Sequence, residues 1–356
     1  MFDSNIPYNE LPLLPGNFDF DQKSLLKKAI IATEEISKLN GLLYLIPNLE
    51  ILISPLLTKE SVESSAIENI NTTTLKVLQS QALPKEKITG PEKEVLHYHN
   101  AILKGFEKIK KQRGIGFNTF LEIQNNIEPN KPGIRKIPGT VIANNLGEVL
   151  YTPPSGEQEI EKLLKNLEIF INNFEDEIDA LIKMPVIHYQ FESIHPFYDG
   201  NGRTGRILNV LYLVLAKKLD FPILFLSEYI NKTRQKYYTL LNETTKTGDY
   251  TDFILYLLEA VIVQSKNTSK KIIKIKDLMQ ETEKKIEKIG MDYAKITKLL
   301  FTFPFVYLEK YEEIMEVSNI TAIRSFKKLE ENKIVSSVKI GRNKLVFIPE
   351  FIELLS

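Results

Sequence analysis

The chain is predicted to be mainly α: a helical bundle with a β-hairpin laid over it, followed by a C-terminal winged-helix domain. Three features of the 356-residue sequence predict this. Apolar residues recur at helical intervals on both sides of a short glycine-rich stretch: Val186, Ile187, Phe191 and Ile194 before it, Ile207, Leu208, Leu211, Val214 and Leu215 after it. Residues 139–142 and 148–151 flank Asn144-Asn145-Leu146-Gly147, whose chemistry suits a hairpin turn. The tail reads as helix, turn, helix and hairpin, the order of a winged helix.

Composition narrows the function classes. Hydrophobic content of 43% and charged content of 26% are those of an ordinary soluble protein. With 46 basic and 46 acidic residues the net charge is +0, which excludes a chain-wide electrostatic affinity for nucleic acid or membrane; such contact would need a local patch. The chain has no cysteine, which excludes disulfides, thiolate nucleophiles and cysteine-ligated zinc. Met1-Phe2-Asp3-Ser4-Asn5 lacks the basic start and apolar run of a signal peptide, and no charge-free segment reaches membrane-spanning length. The expected setting is the cytoplasm, with no membrane partner.

Taken in order, residues 1–22 are rich in Pro, Asn and Asp and read as an extended lead packed on the body. A helix from Ser24 runs to Leu39 and stops at Asn40-Gly41; residues 42–57, broken by Pro47 and Pro55, read as short helical pieces. Thr58 opens a helix through Val62, Ala66, Ile67 and Ile70. Residues 71–113 are helical, with His97 and His99 as surface or interface histidines on different faces rather than a metal pair. Asn130-Lys131-Pro132-Gly133 is a turn, and a helix follows from Glu157 to Phe174. His188 reads as a hydrogen-bonded core residue, and Tyr237 and Tyr238, by pattern alone, as core aromatics. An apolar helix from Thr251 to Gln264 closes the bundle, and Lys266 to Lys288 reads as a solvated connector. In the tail, helices are expected over Tyr293–Phe301, Leu308–Val317 and Ile320–Glu331, and strands around Gly341-Arg342-Asn343. Arg324, Lys327, Lys328, Lys339, Arg342 and Lys344 could meet DNA phosphates there; the same fold equally serves a protein-partner or dimer module.

Between the two central helices lies His195-Pro196-Phe197-Tyr198-Asp199-Gly200-Asn201-Gly202-Arg203-Thr204-Gly205-Arg206, which concentrates chemistry that packing does not require. Gly200 and Gly202 permit positive φ and close backbone approach, so amides at the start of the second helix can face an anion, with the helix dipole adding positive charge. Arg203 and Arg206 share one face of that helix, where rigid forked donors grip successive phosphates. Asp199 is a hard oxygen ligand suited to Mg²⁺. His195, with an ordinary pKa of about 6.5, is largely neutral at pH 7 and can take a proton from an attacking hydroxyl. These are the parts of a nucleotidyl or phosphoryl transferase.

The stretch resembles the signature of the Fic family, His-Pro-Phe-x-(Asp/Glu)-Gly-Asn-Gly-Arg-x-x-Arg, and matches it at every fixed position. It keeps the AMP-transfer form rather than the Ala-Asn-Lys-Arg type of the Doc-like kinases. The resemblance implies a Fic-fold bundle that transfers AMP from ATP to a Tyr, Thr or Ser hydroxyl of a protein and releases pyrophosphate. It implies His195 as general base, Asp199 as the Mg²⁺ ligand, and Gly200-Asn201-Gly202 as the α-phosphate anion hole. Arg203 lies near the α- and β-phosphates and Arg206 reaches the γ-phosphate, with Thr204 and Gly205 inside the same ATP-binding stretch. Tyr237 and Tyr238 approach adenine and ribose, and Ile142 touches adenine. The hairpin, on sequence alone a surface hairpin as readily as a functional one, becomes a flap that presents the target segment as an added strand.

A second motif, Ser64-Ser65-Ala66-Ile67-Glu68-Asn69, resembles the family's inhibitory Ser-x-x-x-Glu-(Gly/Asn) helix of the class that places it N-terminal to the core. Carried over, Ser64, Glu68 and Asn69 form the inhibitory element, and Glu68 pairs with Arg206 and denies the γ-phosphate its partner. In some relatives this glutamate also supports AMP removal. The resemblance extends over roughly residues 10–265, self-modification is expected, and relatives dimerise. The implied organisation is 1–113 as an N-terminal helical region with its inhibitory helix at about 58–71, 114–265 as catalytic core, 266–291 as connector and 292–356 as winged helix. The contrasting expectation is a DNA-binding regulator whose Fic-like part senses nucleotide.

Overall fold

A computed structural model describes residues 2–46, 48–82, 88–131, 133–143, 146–340 and 343–355, with the backbone alone at Glu50 and Asn343. Asn144 and Asn145 of the expected hairpin turn, Pro132 of the expected turn, the expected helix breaker Pro47, and Gly341 and Arg342 between the expected last two strands lie outside the described residues. The chain divides into two compact units, residues 1–38, 63–69 and 97–266 in the first and 39–62, 70–96 and 267–356 in the second.

Helix α1 spans Lys23–Leu43, two residues past the expected stop at Asn40-Gly41. Helix α2 spans Glu50–Ile67 and runs through Pro55, so residues 50–57 and the helix expected to open at Thr58 are one helix, which ends before Ile70. Burial explains the difference. Ile51, Leu52 and Leu57 are almost wholly out of water, and their transfer outweighs the one backbone bond that Pro55 cannot make. Helix α3 spans Thr74–Gln81 and α4 Gly90–Gln112; His99 on α4 is buried rather than at the surface.

In the first unit, α5 (Phe117–Ile127) leads to the two short strands β1 (Ile142–Ala143) and β2 (Val149–Tyr151), which pair antiparallel with Ile142 opposite Tyr151. Then follow α6 (Glu157–Asn172), α7 (Ala180–Ile194) and α8 (Asn201–Leu215). The centre of the unit is α7. Its residues are apolar on nearly every side and Leu181, Met184, Val186, Ile187, Phe191 and Ile194 are fully buried, as a helix packed all round must be. It packs on α6 and α8, and α5 packs on α8. The N-terminal lead packs as expected: Asn166 exchanges hydrogen bonds with the Leu14 main chain at 2.8 and 3.0 Å, and Gln190 donates to the Pro12 carbonyl at 2.9 Å.

Helices α9 (Ser227–Lys232) and α10 (Arg234–Thr247) precede α11, which spans Thr251–Lys288 as one 38-residue helix. The expected break and solvated connector are therefore not there. Ile272, Ile275, Met279 and Ile286 recur at helical spacing and are buried, a stripe hidden by the surrounding lysines in a reading by composition. The second unit continues with α12 (Tyr293–Thr302), β3 (Val306–Tyr307), α13 (Leu308–Met315), α14 (Asn319–Glu331), β4 (Ser336–Ile340), β5 (Asn343–Phe347) and α15 (Pro349–Leu355). Strands β3, β5 and β4 form an antiparallel sheet in that order, with Val338 opposite Leu345. Sequence reading missed β3 and α15, both too short to carry a periodic signal. Phe351 on α15 nonetheless packs on Phe301, with ring centroids 4.6 Å apart.

Candidate active site

The site is built where α7 ends and α8 begins. His195 caps α7 in the left-handed region, φ 46°, its amide still bonded to the Phe191 carbonyl at 3.0 Å. The chain then turns through Pro196–Asp199, and Gly200 at φ 82° starts α8. Asn201 closes this loop: its Oδ1 accepts from Phe197 N and its Nδ2 donates to Phe197 O, both at 2.8 Å. The Asn201 side chain is thereby spent on the loop, and the donors left for an anion are main-chain amides at the start of α8.

Two arginines face this corner. Arg203 is 2% exposed; its Nη2 donates to Glu128 Oε1 at 2.6 Å and to Asp199 Oδ1 at 3.3 Å, while Nε and Nη1 are buried without a hydrogen-bond partner. A buried guanidinium with idle donors is expensive unless an anion completes it. Arg206 is engaged instead through Nε and Nη2. Its Nε donates to Ser64 Oγ at 2.8 Å, and its Nη2 to Ser64 O at 3.0 Å and to Glu68 Oε1 at 2.8 Å. Burial opposes the charge on Glu68, but Arg206, with help from Arg203 and His195, holds its carboxyl below the ordinary value. Burial likewise opposes the charge on Arg206, and Glu68 overrides it.

The residue after Glu68 explains the shape of that end. Asn69 sits at φ 63°, and asparagine is among the few side chains that tolerate this region. Its Oδ1 accepts from Arg234 at 3.3 Å. Glu68 Oε1 lies 2.4 Å from where a Cβ on Gly202 would stand, so the carboxylate sits against the first turn of α8.

The remaining expected residues fall into two groups. Thr204 and Gly205 are buried in α8, and a Cβ on Gly205 would lie 2.3 Å from Glu192 Oε1. Tyr237 is in the core, its hydroxyl bonded to His188 Nε2 at 2.8 Å, whereas Tyr238 is 39% exposed with the Arg234 guanidinium 5.9 Å from its ring centroid. Successive helical residues point in different directions, so only one of the pair can face out. His188 is a bonded core residue, and burial pushes its imidazole down to about 3. Ile142 is half-buried in β1.

Burial pushes the His195 imidazole down to about 4, with the nearby Arg135 charge acting in the same direction, so the ring is neutral at pH 7. Asp199 is ionised: burial works against it, but Lys131, whose Nζ is 2.7 Å from Oδ2, and Arg203 hold its carboxyl below the ordinary range. Among the described residues no group of three or more His, Asp or Glu could hold a metal on its own. One ionised, half-buried carboxylate suits Mg²⁺ delivered with a nucleotide, because that ion keeps water and phosphate oxygens in most of its positions.

Sequence reading missed four residues. Glu128 and Lys131 hold Arg203 and Asp199 from the loop after α5, Arg135 bonds the His195 carbonyl at 2.7 Å, and Glu192 is buried against Gly205 with Oε1 unbonded. Burial pushes the Glu192 carboxyl up to about 7 despite the pull of Arg206. Of the four, only Glu192, a charge inside an apolar helical run, carries a signal in its own neighbourhood.

The Fic/DOC family profile matches residues 87–213, and the profile of the family's N-terminal region matches residues 26–107. Together these matches run across more than half of the chain. The chain belongs to the Fic/DOC family. Protein adenylyltransferase fic-1 of Caenorhabditis elegans is 33% identical over 108 residues, 30% of this chain and 20% of the relative. Protein adenylyltransferase Fic of Nematostella vectensis is 28% identical over 207 residues, 54% of this chain and 44% of the relative. The chain thus spans less than half the length of either. A solved Fic family protein from Desulfovibrio desulfuricans shares the fold, with a TM-score of 0.59 at 18% identity over 92% of this chain and 97% of that one. No helix among the described residues is long and apolar enough to cross a membrane.

Proposed function

We propose that this Fic protein transfers AMP from ATP to a Tyr, Thr or Ser hydroxyl of a protein, releasing pyrophosphate, and that Glu68 holds the resting site shut. The observation that carries this is the pair of buried arginines at the start of α8. One has idle donors, and the other is neutralised by a carboxylate seated where a phosphate would go. The names of the two adenylyltransferase relatives support the same reaction.

In this mechanism the acceptor hydroxyl gives its proton to the neutral His195 imidazole and its oxygen bonds to the α-phosphorus, while the bond from that phosphorus to the β-phosphate oxygen breaks. Charge growing on the α-phosphate is met by the α8 amides and by Arg203 Nε and Nη1. Arg206 takes the γ-phosphate once Glu68 withdraws. Asp199 would hold Mg²⁺, which would supply positive charge against the leaving pyrophosphate. Tyr238 and Ile142 flank adenine, with Tyr237 as support behind Tyr238, and the β1–β2 flap lines up the acceptor segment as an added strand. Keeping about 99% of the molecules closed takes a bias of only about 2.7 kcal/mol, within reach of one buried charge pair. Glu68 would also orient water for AMP removal in the reverse sense, and self-modification and a homodimer belong to the same reading, as does a cytoplasmic setting.

A second reading is a DNA-binding regulator in which the Fic site senses nucleotide. We read α13, α14 and the β4–β5 hairpin as a winged helix, and Arg324, Lys327 and Lys328 on α14 are exposed. Lys344 pairs with Glu330 at 2.7 Å, Lys327 with Glu331 at 3.7 Å, and Ile320 and Ile323 are exposed on the same helix, which favours a protein partner over DNA.

Incubation with labelled ATP and Mg²⁺ tests both. Glu68→Gly is expected to raise labelling of protein more than tenfold, and His195→Ala in that background to abolish it. Equal labelling by wild type and Glu68→Gly would remove the lock, and labelling that survives His195→Ala would overturn the mechanism. Salt-sensitive duplex binding without any labelling would favour the regulator.

A further inference from the structure

Four successive main-chain carbonyls at the end of α7 accept hydrogen bonds from residues at the root of the flap. Tyr151 Oη donates to Ser193 O at 2.8 Å, Arg135 Nη2 to Ile194 O at 3.2 Å, Arg135 Nε to His195 O at 2.7 Å, and Arg135 N to Pro196 O at 2.9 Å. Arg135 Nη2 also donates to the Pro154 carbonyl, beyond β2. Ile134 and Phe197 add a bridge of antiparallel backbone pairing at the same place. The Arg135 side chain is 2% exposed and makes no carboxylate pair among the described contacts. A buried cation is costly, and here carbonyls at the negative end of α7 compensate it. Those carbonyls belong to and flank the one non-glycine residue of the corner in the left-handed region, His195, at φ 46° and ψ 57°.

We propose that Arg135 is a positioning residue for the transfer reaction: it binds the flap root and the His195 corner into one unit, so that the strand presenting the acceptor and the imidazole that takes its proton are set by the same side chain. This rests on the transfer reading of the site. The Arg135 charge also faces the imidazole. It acts with burial to keep the ring unprotonated, against Glu68 on the α2 end, Asp199 in the loop and the Glu192 main chain, which all favour the protonated ring. Removing the charge therefore raises the imidazole pKa, and the acid limb of transfer moves to higher pH.

The test uses the full chain, labelled at the ring carbons of its four histidines and titrated by NMR, alongside AMP transfer in the Glu68→Gly background. Arg135→Gln is expected to move the His195 midpoint upward by at least half a pH unit and to lower kcat at least tenfold, with KM for ATP within twofold. Arg135→Lys keeps the charge but not the three-carbonyl fork. Its midpoint is expected to stay low while kcat still falls at least tenfold. A folded Arg135→Gln protein with an unmoved midpoint, or an Arg135→Lys protein with the parent kcat, overturns the proposal. Should the Glu68→Gly parent fail to transfer AMP, the transfer reading falls, and the midpoint alone then decides the link between Arg135 and His195.

Discussion

Gly202 shows how tightly single atoms are set at this site. A Cβ there would meet Glu68 Oε1 at 2.4 Å and Arg206 Nη1 at 2.9 Å, both at the far ends of flexible side chains. Gly202→Ala is therefore expected to fold and to push the Glu68 carboxylate out, much as deleting it would. The methyl group, however, fills the space a terminal phosphate needs. The expected outcome of a labelled-ATP assay is that Glu68→Gly raises AMP transfer while Gly202→Ala does not, although both break the Glu68–Arg206 pair. Elevated transfer by Gly202→Ala would mean that the lip of α8 is not where the phosphate sits.

Among the elements, the C-terminal end of α2 is the part that moves in this account, and its cap is the handle. Asn69 holds φ 63° and makes the turn that aims Glu68 at Arg206. A glycine keeps that turn without strain, whereas a β-branched residue costs about 1–2 kcal/mol there. Asn69→Gly is thus expected to leave basal transfer within about twofold, and Asn69→Val to raise it about five- to thirtyfold, since 1.4 kcal/mol is tenfold in an equilibrium. The assay needs only unstimulated AMP transfer by the two variants.

For the whole molecule, a ligand that binds only the folded state stabilises it, by about 2.7 kcal/mol at a concentration a hundredfold above Kd. In the resting chain part of that binding energy goes to displacing Glu68 from Arg206. Thermal melts with and without ATP·Mg²⁺ are expected to show a shift of several degrees for Glu68→Gly and a clearly smaller one for wild type. Equal shifts would mean that nucleotide binds without disturbing the pair.

What consecutive residues encode was legible from the chain alone. The His195–Arg206 stretch carries its turn, its helix start and its charged groups in twelve neighbouring positions, and the apolar periods on either side fall on α7 and α8. The two motifs that supply the Glu68–Arg206 ion pair were also legible, each in its own sequence context, through the family they resemble. Continuity of α2 through Pro55 and of α11 past Lys266 was not, because burial decides it and burial is a property of neighbours distant in the chain. Only the tertiary structure joined Glu128 to Arg203 across 75 positions and Arg135 to His195 across 60. A charge or a carbonyl in sequence gives its type and not its partner. The folded chain chooses the partner, since a buried donor must end against whichever acceptor the packing brings within about 3 Å.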